Sequence, residues 1–144
     1  LIYLDTSALV KKYVSERGTA EVRELMKRER RIVTSKLTYP EICAALARKQ
    51  REGGVDRLPY QKIWASFSAD WQALVLVELS DALFPLVRRL TDEYPLRGAD
   101  AVHLASALWL GMEIKAPLTF VAADHPLLKA ASDEGLAAIN PGMD

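Results

Sequence analysis

Short apolar runs alternate along this chain with longer stretches whose apolar residues recur at helical spacing. Leu1-Ile2-Tyr3-Leu4 is an apolar run of β-formers that ends on Asp5-Thr6-Ser7, a buried strand running into a capped helix that starts near Ser7. Val22, Leu25 and Met26 form a stripe beside Arg23, Lys27 and Arg28, which predicts an amphipathic helix over residues 18–30. Ile32-Val33 then reads as a strand and residues 38–51 as a helix. Gly53-Gly54 breaks that helix. From about Leu58 a long helical stretch follows, with Tyr60, Trp64, Phe67 and Trp71 close to one face. Further on, the pattern predicts a strand within residues 74–79, a helix over 81–92, a helix over 98–110, and a strand over 118–122 that leads to Asp124. A last helix and a short terminal strand near residues 138–140 complete the reading. Parallel strands need crossover connections, so this alternation points to an α/β domain, a mainly parallel sheet covered by helices on both faces.

At 144 residues, half of them apolar, the chain is long enough for one buried core and short for two, and a single domain over 1–144 is expected. It shows no internal repeat, low-complexity tract or linker. Nineteen basic residues balance nineteen acidic ones, so no overall field draws in a polyanion, and any nucleic-acid site must be local. The one cysteine, Cys43, has no partner for an intrachain disulfide. Its Ala/Leu-rich helical setting predicts a buried thiol acting as a small hydrophobe, in keeping with a reducing compartment. No apolar run approaches the roughly eighteen residues of a membrane span, and none reads as a signal peptide; a cytoplasmic protein without a membrane partner is expected.

Four acids stand out by position. Asp5 follows the first strand and Asp124 a later one, while Glu41 and Asp100 lie in the opening turns of two helices. In a doubly wound sheet these places share one edge, where ligands bind. Each acid also has a plain structural explanation. Thr38-Tyr39-Pro40-Glu41 matches a capping box with proline in the first turn. Asp124 is a reasonable N-cap before Pro126, and Asp100 gains from a helix macrodipole. Asp5 is harder to dismiss, because Thr6 or Ser7 can cap the same helix. Asp100 shares a helical face with Leu104, Ala107 and Leu108, which turns it inward, where an unpaired carboxylate is costly. Several carboxylates at one edge repel one another unless a cation supplies the missing charge, and all-oxygen ligation suits magnesium or manganese.

The phrases Leu4-Asp5-Thr6-Ser7-Ala8-Leu9, Thr38-Tyr39-Pro40-Glu41-Ile42, Arg97-Gly98-Ala99-Asp100-Ala101-Val102-His103-Leu104-Ala105 and Phe120-Val121-Ala122-Ala123-Asp124 resemble, in order and spacing, the motifs of PIN-domain ribonucleases, especially VapC-type toxins. The resemblance covers almost the whole chain. It implies a three-layer α/β/α fold with a mainly parallel sheet of about five strands. It also implies a metal-dependent endoribonuclease, the toxin of a toxin–antitoxin pair, with one or two Mg2+ or Mn2+ ions held by Asp5, Glu41, Asp100 and Asp124. Water activated by metal would attack the phosphodiester and leave 5′-phosphate and 3′-hydroxyl ends. Thr6 and Ser7 would position a carboxylate or a metal-bound water, Ser7 with a catalytic part, and Arg97 would contact phosphate. Implied partners are the RNA substrate, a cognate antitoxin protein and a second copy of the chain. Two departures concern Asp124: Ala122 stands where many relatives carry Ser or Thr, and Pro126 where some carry another acid. If Asp124 only caps a helix, three carboxylates remain.

Other residues have ordinary readings that compete with functional ones. His103, three residues after Asp100, reads as a packed, hydrogen-bonded histidine rather than a ligand, since hard metals prefer oxygen. His125 reads as a loop histidine near the substrate side. The aromatic stripe on Tyr60, Trp64, Phe67 and Trp71 reads as core, with a protein interface as the functional alternative. Basic runs at Arg23, Lys27, Arg28, Arg30 and Arg31, and at Arg48, Lys49 and Arg51, read as solvated helix faces that can also supply local positive charge. Rival chemistries fit less well. A haloacid dehalogenase phosphatase wants a second Asp where Ser7 stands, and a receiver domain wants adjacent acids after the first strand. A PIN-like scaffold that binds RNA or protein without cutting is the remaining alternative.

Overall fold

The computed structural model describes residues 1–53 and 57–142, with the backbone alone of residues 57 and 58. Five strands, β1 Ile2–Leu4, β2 Ile32–Ser35, β3 Val75–Val77, β4 Thr119–Val121 and β5 Ala137–Ile139, form one sheet in the order β3-β2-β1-β4-β5. Every pairing is parallel, and β1 sets the register on both sides through Ile2↔Ile32 and Ile2↔Thr119. Seven helices among the described residues supply the crossovers: α1 Thr6–Leu9, α2 Thr19–Arg28, α3 Thr38–Arg51, α4 Arg57–Ala73, α5 Phe84–Glu93, α6 Gly98–Ile114 and α7 His125–Asp133.

The pleat sorts the core into two halves. Side chains of successive strand residues point to opposite faces. Tyr3 and Phe120 therefore enter one cluster with Leu90, Leu104 and Leu127 from α5, α6 and α7. Ile2, Leu4 and Val121 enter the other, with Leu9, Leu25, Ile42, Leu46 and Phe67 from α1, α2, α3 and α4. This is the expected three-layer α/β/α arrangement, and the sheet is wholly rather than mainly parallel. The aromatic stripe of α4 faces inward: Phe67 is fully buried, and Tyr60, Trp64 and Trp71 pack around it half-buried.

Departures from the sequence reading have local causes. β3 is shorter than residues 74–79, because it is an edge strand whose Val75 is exposed and which pairs on one side alone. β5 lies one residue earlier than expected and is exposed along its length. A 3-10 turn over Asp81–Leu83 precedes α5, where Pro85, lacking an N–H, sits in the first turn. α6 runs through Gly111 and stops at Lys115, which adopts the left-handed conformation (φ 50°). Cys43 is half-buried rather than buried, because α3 turns Thr38, Ile42 and Leu46 inward and leaves Cys43 one step around the helix. Gly53 ends α3 at φ +77°, a conformation that favours glycine; Gly54 lies outside the described residues. No helix among the described residues is long and apolar enough to cross a membrane.

Candidate active site

The strand order reverses between β1 and β4, the place where a parallel sheet opens a crevice beyond its carboxyl ends. Asp5 sits there. Its backbone N–H donates to the Val121 carbonyl (3.1 Å), continuing the β1–β4 ladder. The Asp5 side chain is 3% exposed. It accepts from the Ala8 N–H at 2.9 Å and from the Ser7 hydroxyl at 2.7 and 2.9 Å. Asp5 is thus itself the N-cap of α1, where the sequence left Thr6 and Ser7 as candidates. Ser7 Oγ in turn accepts from the Ala123 N–H (3.0 Å), tying the end of β4 to this carboxylate. Burial pushes the Asp5 carboxyl up to about 6, with the charge of Asp100 adding to it against the opposing His103, Ser7 and Ala8.

Glu41 is not part of a capping box. The N-cap of α3 is Leu37, with no side-chain cap, and Thr38 is buried on the Thr34 hydroxyl (2.7 Å). Glu41 Oε1 accepts from the Thr6 hydroxyl (2.6 Å), and His103 Nε2 lies 2.8 Å from the same oxygen. Burial acts to raise this carboxyl, yet the hydrogen bonds from His103 and Thr6 prevail and hold it below its ordinary value. Both hydroxyls of the Thr6-Ser7 pair therefore hold a carboxylate, one each.

Asp100 is in the first turn of α6, half-buried, with Arg97 Nε 4.0 Å from its Oδ2. Leu104 and Ala107 of the same face are fully buried and Leu108 half-buried. The inward turn expected for Asp100 is thus only partial. Burial raises its carboxyl, and the nearby charge of Asp124 raises it further. Asp124 is the N-cap of α7, its Oδ2 accepting from the Leu127 N–H at 3.1 Å. Asp5, Glu41 and Asp100 line one cavity of about 480 Å3 with Thr6, Ser7 and the exposed Arg48 and Arg97; Asp124 stands outside that lining. Asp124→Ala is expected to lower stability by about 1 kcal/mol in urea unfolding while Asp124→Asn, which keeps the cap, does not. Equal losses in both would show that the cap contributes nothing.

Among the described residues no group of three or more His, Cys, Asp or Glu side chains is gathered as a ready ion cage. The Asp5 oxygens and Glu41 Oε1 accept hydrogen bonds from Ser7, Ala8, Thr6 and His103. The donor chemistry nevertheless fits a hard divalent cation. Three carboxylates face one space; burial is the main reason that Asp5 and Asp100 are shifted upward, and neighbouring acids, Asp100 for the one and Asp124 for the other, add to it. Water or phosphate oxygens would complete such a coordination sphere.

The sequence reading gave two residues of the site other roles. His103 was read as packed, and it is 2% exposed, but its ring lies against Glu41. Arg48 was one of a basic run, and it reaches the cavity two turns beyond Glu41 on the same face of α3. His125 is exposed beside Asp124, outside the cavity lining.

Fold and cavity define a three-layer α/β/α domain with an acidic site at the carboxyl edge of a parallel sheet. Residues 2–131 match the PIN domain family, and the chain belongs to that family. It is 37% identical over 114 residues to Ribonuclease VapC49 of Mycobacterium tuberculosis (strain ATCC 25618 / H37Rv), a match covering 77% of each chain. It is 30% identical over 146 residues to Ribonuclease VapC47 of Mycobacterium tuberculosis (strain CDC 1551 / Oshkosh), covering 99% of this chain and 98% of the relative. A toxin–antitoxin complex from Klebsiella pneumoniae superposes with a TM-score of 0.65 at 16% identity, covering 98% of both chains; at that identity the likeness speaks for the fold alone.

Proposed function

We propose that this protein is a magnesium- or manganese-dependent endoribonuclease, the toxin of a toxin–antitoxin pair, with Asp5, Glu41 and Asp100 holding one or two ions. The observation that carries the reading is the meeting of carboxylates from β1, α3 and α6 in one cavity that two arginines also line. The relatives named as VapC ribonucleases support the activity, and the toxin–antitoxin complex among the solved structures supports a protein partner for this chain. A cytoplasmic setting and a homodimer complete the proposal. Asp124 acts as a helix cap whose charge adds to the site, and as a ligand only after giving up that cap.

A bound ion supplies the positive charge that activates water and stabilises the scissile phosphate. The chain's own residues do the rest. Ser7 holds Asp5, and Thr6 holds Glu41, so that both carboxylates keep their place as charge enters. Arg97 and Arg48 bind substrate phosphates, and Arg97 lies close enough to Asp100 to place a phosphate beside the carboxylates. This division of labour lets a protein of zero formal charge engage RNA: Arg48 and Arg97 supply positive charge at the cavity itself.

Incubating a mixed RNA pool with the purified protein and Mg2+ or Mn2+, beside an EDTA control, tests the activity. Metal-dependent cutting is expected; RNA left intact under both metals by a folded protein that still binds RNA or a partner would replace the nuclease with a scaffold. Arg97→Ala and Arg48→Ala are each expected to weaken RNA binding across sequences and to flatten its dependence on log salt by about one unit per lost phosphate contact. A salt slope unchanged in both variants would remove these arginines from the substrate path.

A further inference from the structure

A chain of hydrogen bonds runs from the hydrophobic core to the rim of the cavity, and its direction is set by which atoms hold protons. At its inner end is Tyr3, fully buried and stacked on Phe120 with centroids 5.3 Å apart. Tyr3 Oη lies 2.8 Å from His103 Nδ1, and His103 Nε2 lies 2.8 Å from Glu41 Oε1. An ionised carboxylate can only accept, so the proton in that contact belongs to Nε2. In a neutral ring Nδ1 is then a lone pair, and the Tyr3 hydroxyl donates to it. Burial keeps the phenol protonated and able to do so.

The second set of contacts on Glu41 has a fixed direction as well. Thr34 donates to the Leu4 carbonyl (2.6 Å), which uses its single proton, so Thr38 must be the donor in the 2.7 Å contact between the two hydroxyls. Thr38 Oγ1 lies 3.5 Å away and His103 Nε2, which carries its own proton and cannot accept, 3.3 Å away, so the proton of Thr6 goes to Glu41 Oε1 at 2.6 Å. Glu41 Oε1 thus receives two donors, from β1–α1 and from α6, neither on its own helix. A long flexible side chain in the first turn of α3 would otherwise fold back on the free N–H groups there, as the capping-box spacing invites.

We infer that His103 is a positioning residue: its ring, fixed by the Tyr3 hydroxyl with the proton on Nε2, holds the Glu41 carboxylate in the cavity for metal. This rests on the reading of Glu41 as a metal ligand. A metal-ligating group is commonly oriented by an outer partner; here the order is inverted, with the imidazole as the partner and the carboxylate as the ligand. The division suits a hard ion, which prefers the oxygen. It also explains why a buried polar ring occupies α6, one turn beyond Asp100, among Ala101, Leu104, Ala105, Ser106 and Ala107.

Nitrogen-15 spectra of the full, metal-free chain at neutral pH test the tautomer directly. His103 and His125 are its two histidines, and His125→Gln assigns them. Nε2 of His103 is expected to carry the proton, with Nδ1 resonating as a bare ring nitrogen. In Tyr3→Phe, which keeps the stacked ring and removes the hydroxyl, part of the population should move its proton to Nδ1. Manganese binding read by electron paramagnetic resonance is the second measurement. His103→Leu should weaken it by about tenfold or more, and His103→Gln, whose amide replaces the Nε2 donor, should restore most of the loss. A wild-type proton on Nδ1 overturns the inference. So does Mn2+ binding as tight in His103→Leu as in wild type, or equally weak in His103→Leu and His103→Gln, since packing alone would explain the latter. Wild-type protein that shows the expected tautomer and binds Mn2+ but leaves RNA intact refutes the nuclease and leaves the positioning of Glu41 standing.

Discussion

Asp5→Asn will abolish RNA cleavage and, in the absence of metal, make the protein more stable at pH 7 than the wild type. The loss of activity should exceed the roughly hundredfold typical of a group that only orients a ligand, because Asp5 is proposed as a ligand itself. Asp100→Asn should lose as much. The stability effect separates the two. Asp5 is buried at 3% exposure and its carboxyl is pushed up from 3.8 to about 6. A carboxyl raised in the folded state favours the protonated folded form. Its contribution is complete below the unfolded value near 4 and is lost as pH climbs through 6, where ionised Asp5 comes to cost up to about 3 kcal/mol. The amide bears no such cost, although it gives up part of the acceptor capacity that Ser7 uses. Urea unfolding in EDTA at pH 4.5 and pH 7 should therefore show the advantage of Asp5→Asn growing with pH. An advantage that does not change between the two would mean that the buried charge is not the cause. Adding Mg2+ should reverse the order, since the cation stabilises the ionised carboxylate of the wild type alone.

Phe67→Ala should lower stability by about 3–5 kcal/mol, among the largest effects of any single substitution in the chain. The Phe67 ring is fully buried. It meets Tyr13 edge-on (5.4 Å between centroids), and Tyr39, Trp64 and Trp71 at 5.6, 5.7 and 5.6 Å. Removing it leaves a cavity bordered by four large rings. Tyr13 is held by its hydroxyl on Asp70 (2.7 Å), which Lys12 also meets. The midpoint of urea unfolding reads the effect, and a change within about 0.5 kcal/mol, as at surface positions, would mean that α4 docks by its outer residues instead. Activity should follow stability here, since Ile42 and Leu46, in the same cluster, set the position of α3 and hence of Glu41.

Local spacing made the elements legible, because period-2 and helical patterns are properties of neighbouring residues. The same periodicity placed the aromatic stripe of α4 in the core correctly. The acids were legible as a set at the ends of elements, but not in their contacts. Thr38 to Glu41 has the spacing of a capping box, and the box does not form: Thr6 and His103 compete for the carboxylate from 35 and 62 residues away. Asp5, read as free to serve a ligand because neighbours can cap, is the cap. In Asp124 the capping reading held, and it stands outside the cavity lining that the other three share. His103 was rightly read as packed, while its bearing on the site depends on Tyr3, a hundred residues away in the chain. Pairings of this kind are made by the order of strands, which no local pattern encodes.

The position of β1 has a consequence for synthesis. Ile2 pairs with Ile32 on one side and with Thr119 on the other, so one edge of the central strand stays bare until β4 has left the ribosome. Loop closure over such a distance comes late, and non-local parallel pairing is slow. A nascent chain that already holds Asp5, Glu41 and Asp100 still lacks the Val121 carbonyl and the Ala123 N–H that fix Asp5 and Ser7 at the edge. Translation products broken off before β4 thus lack the contacts that complete the site.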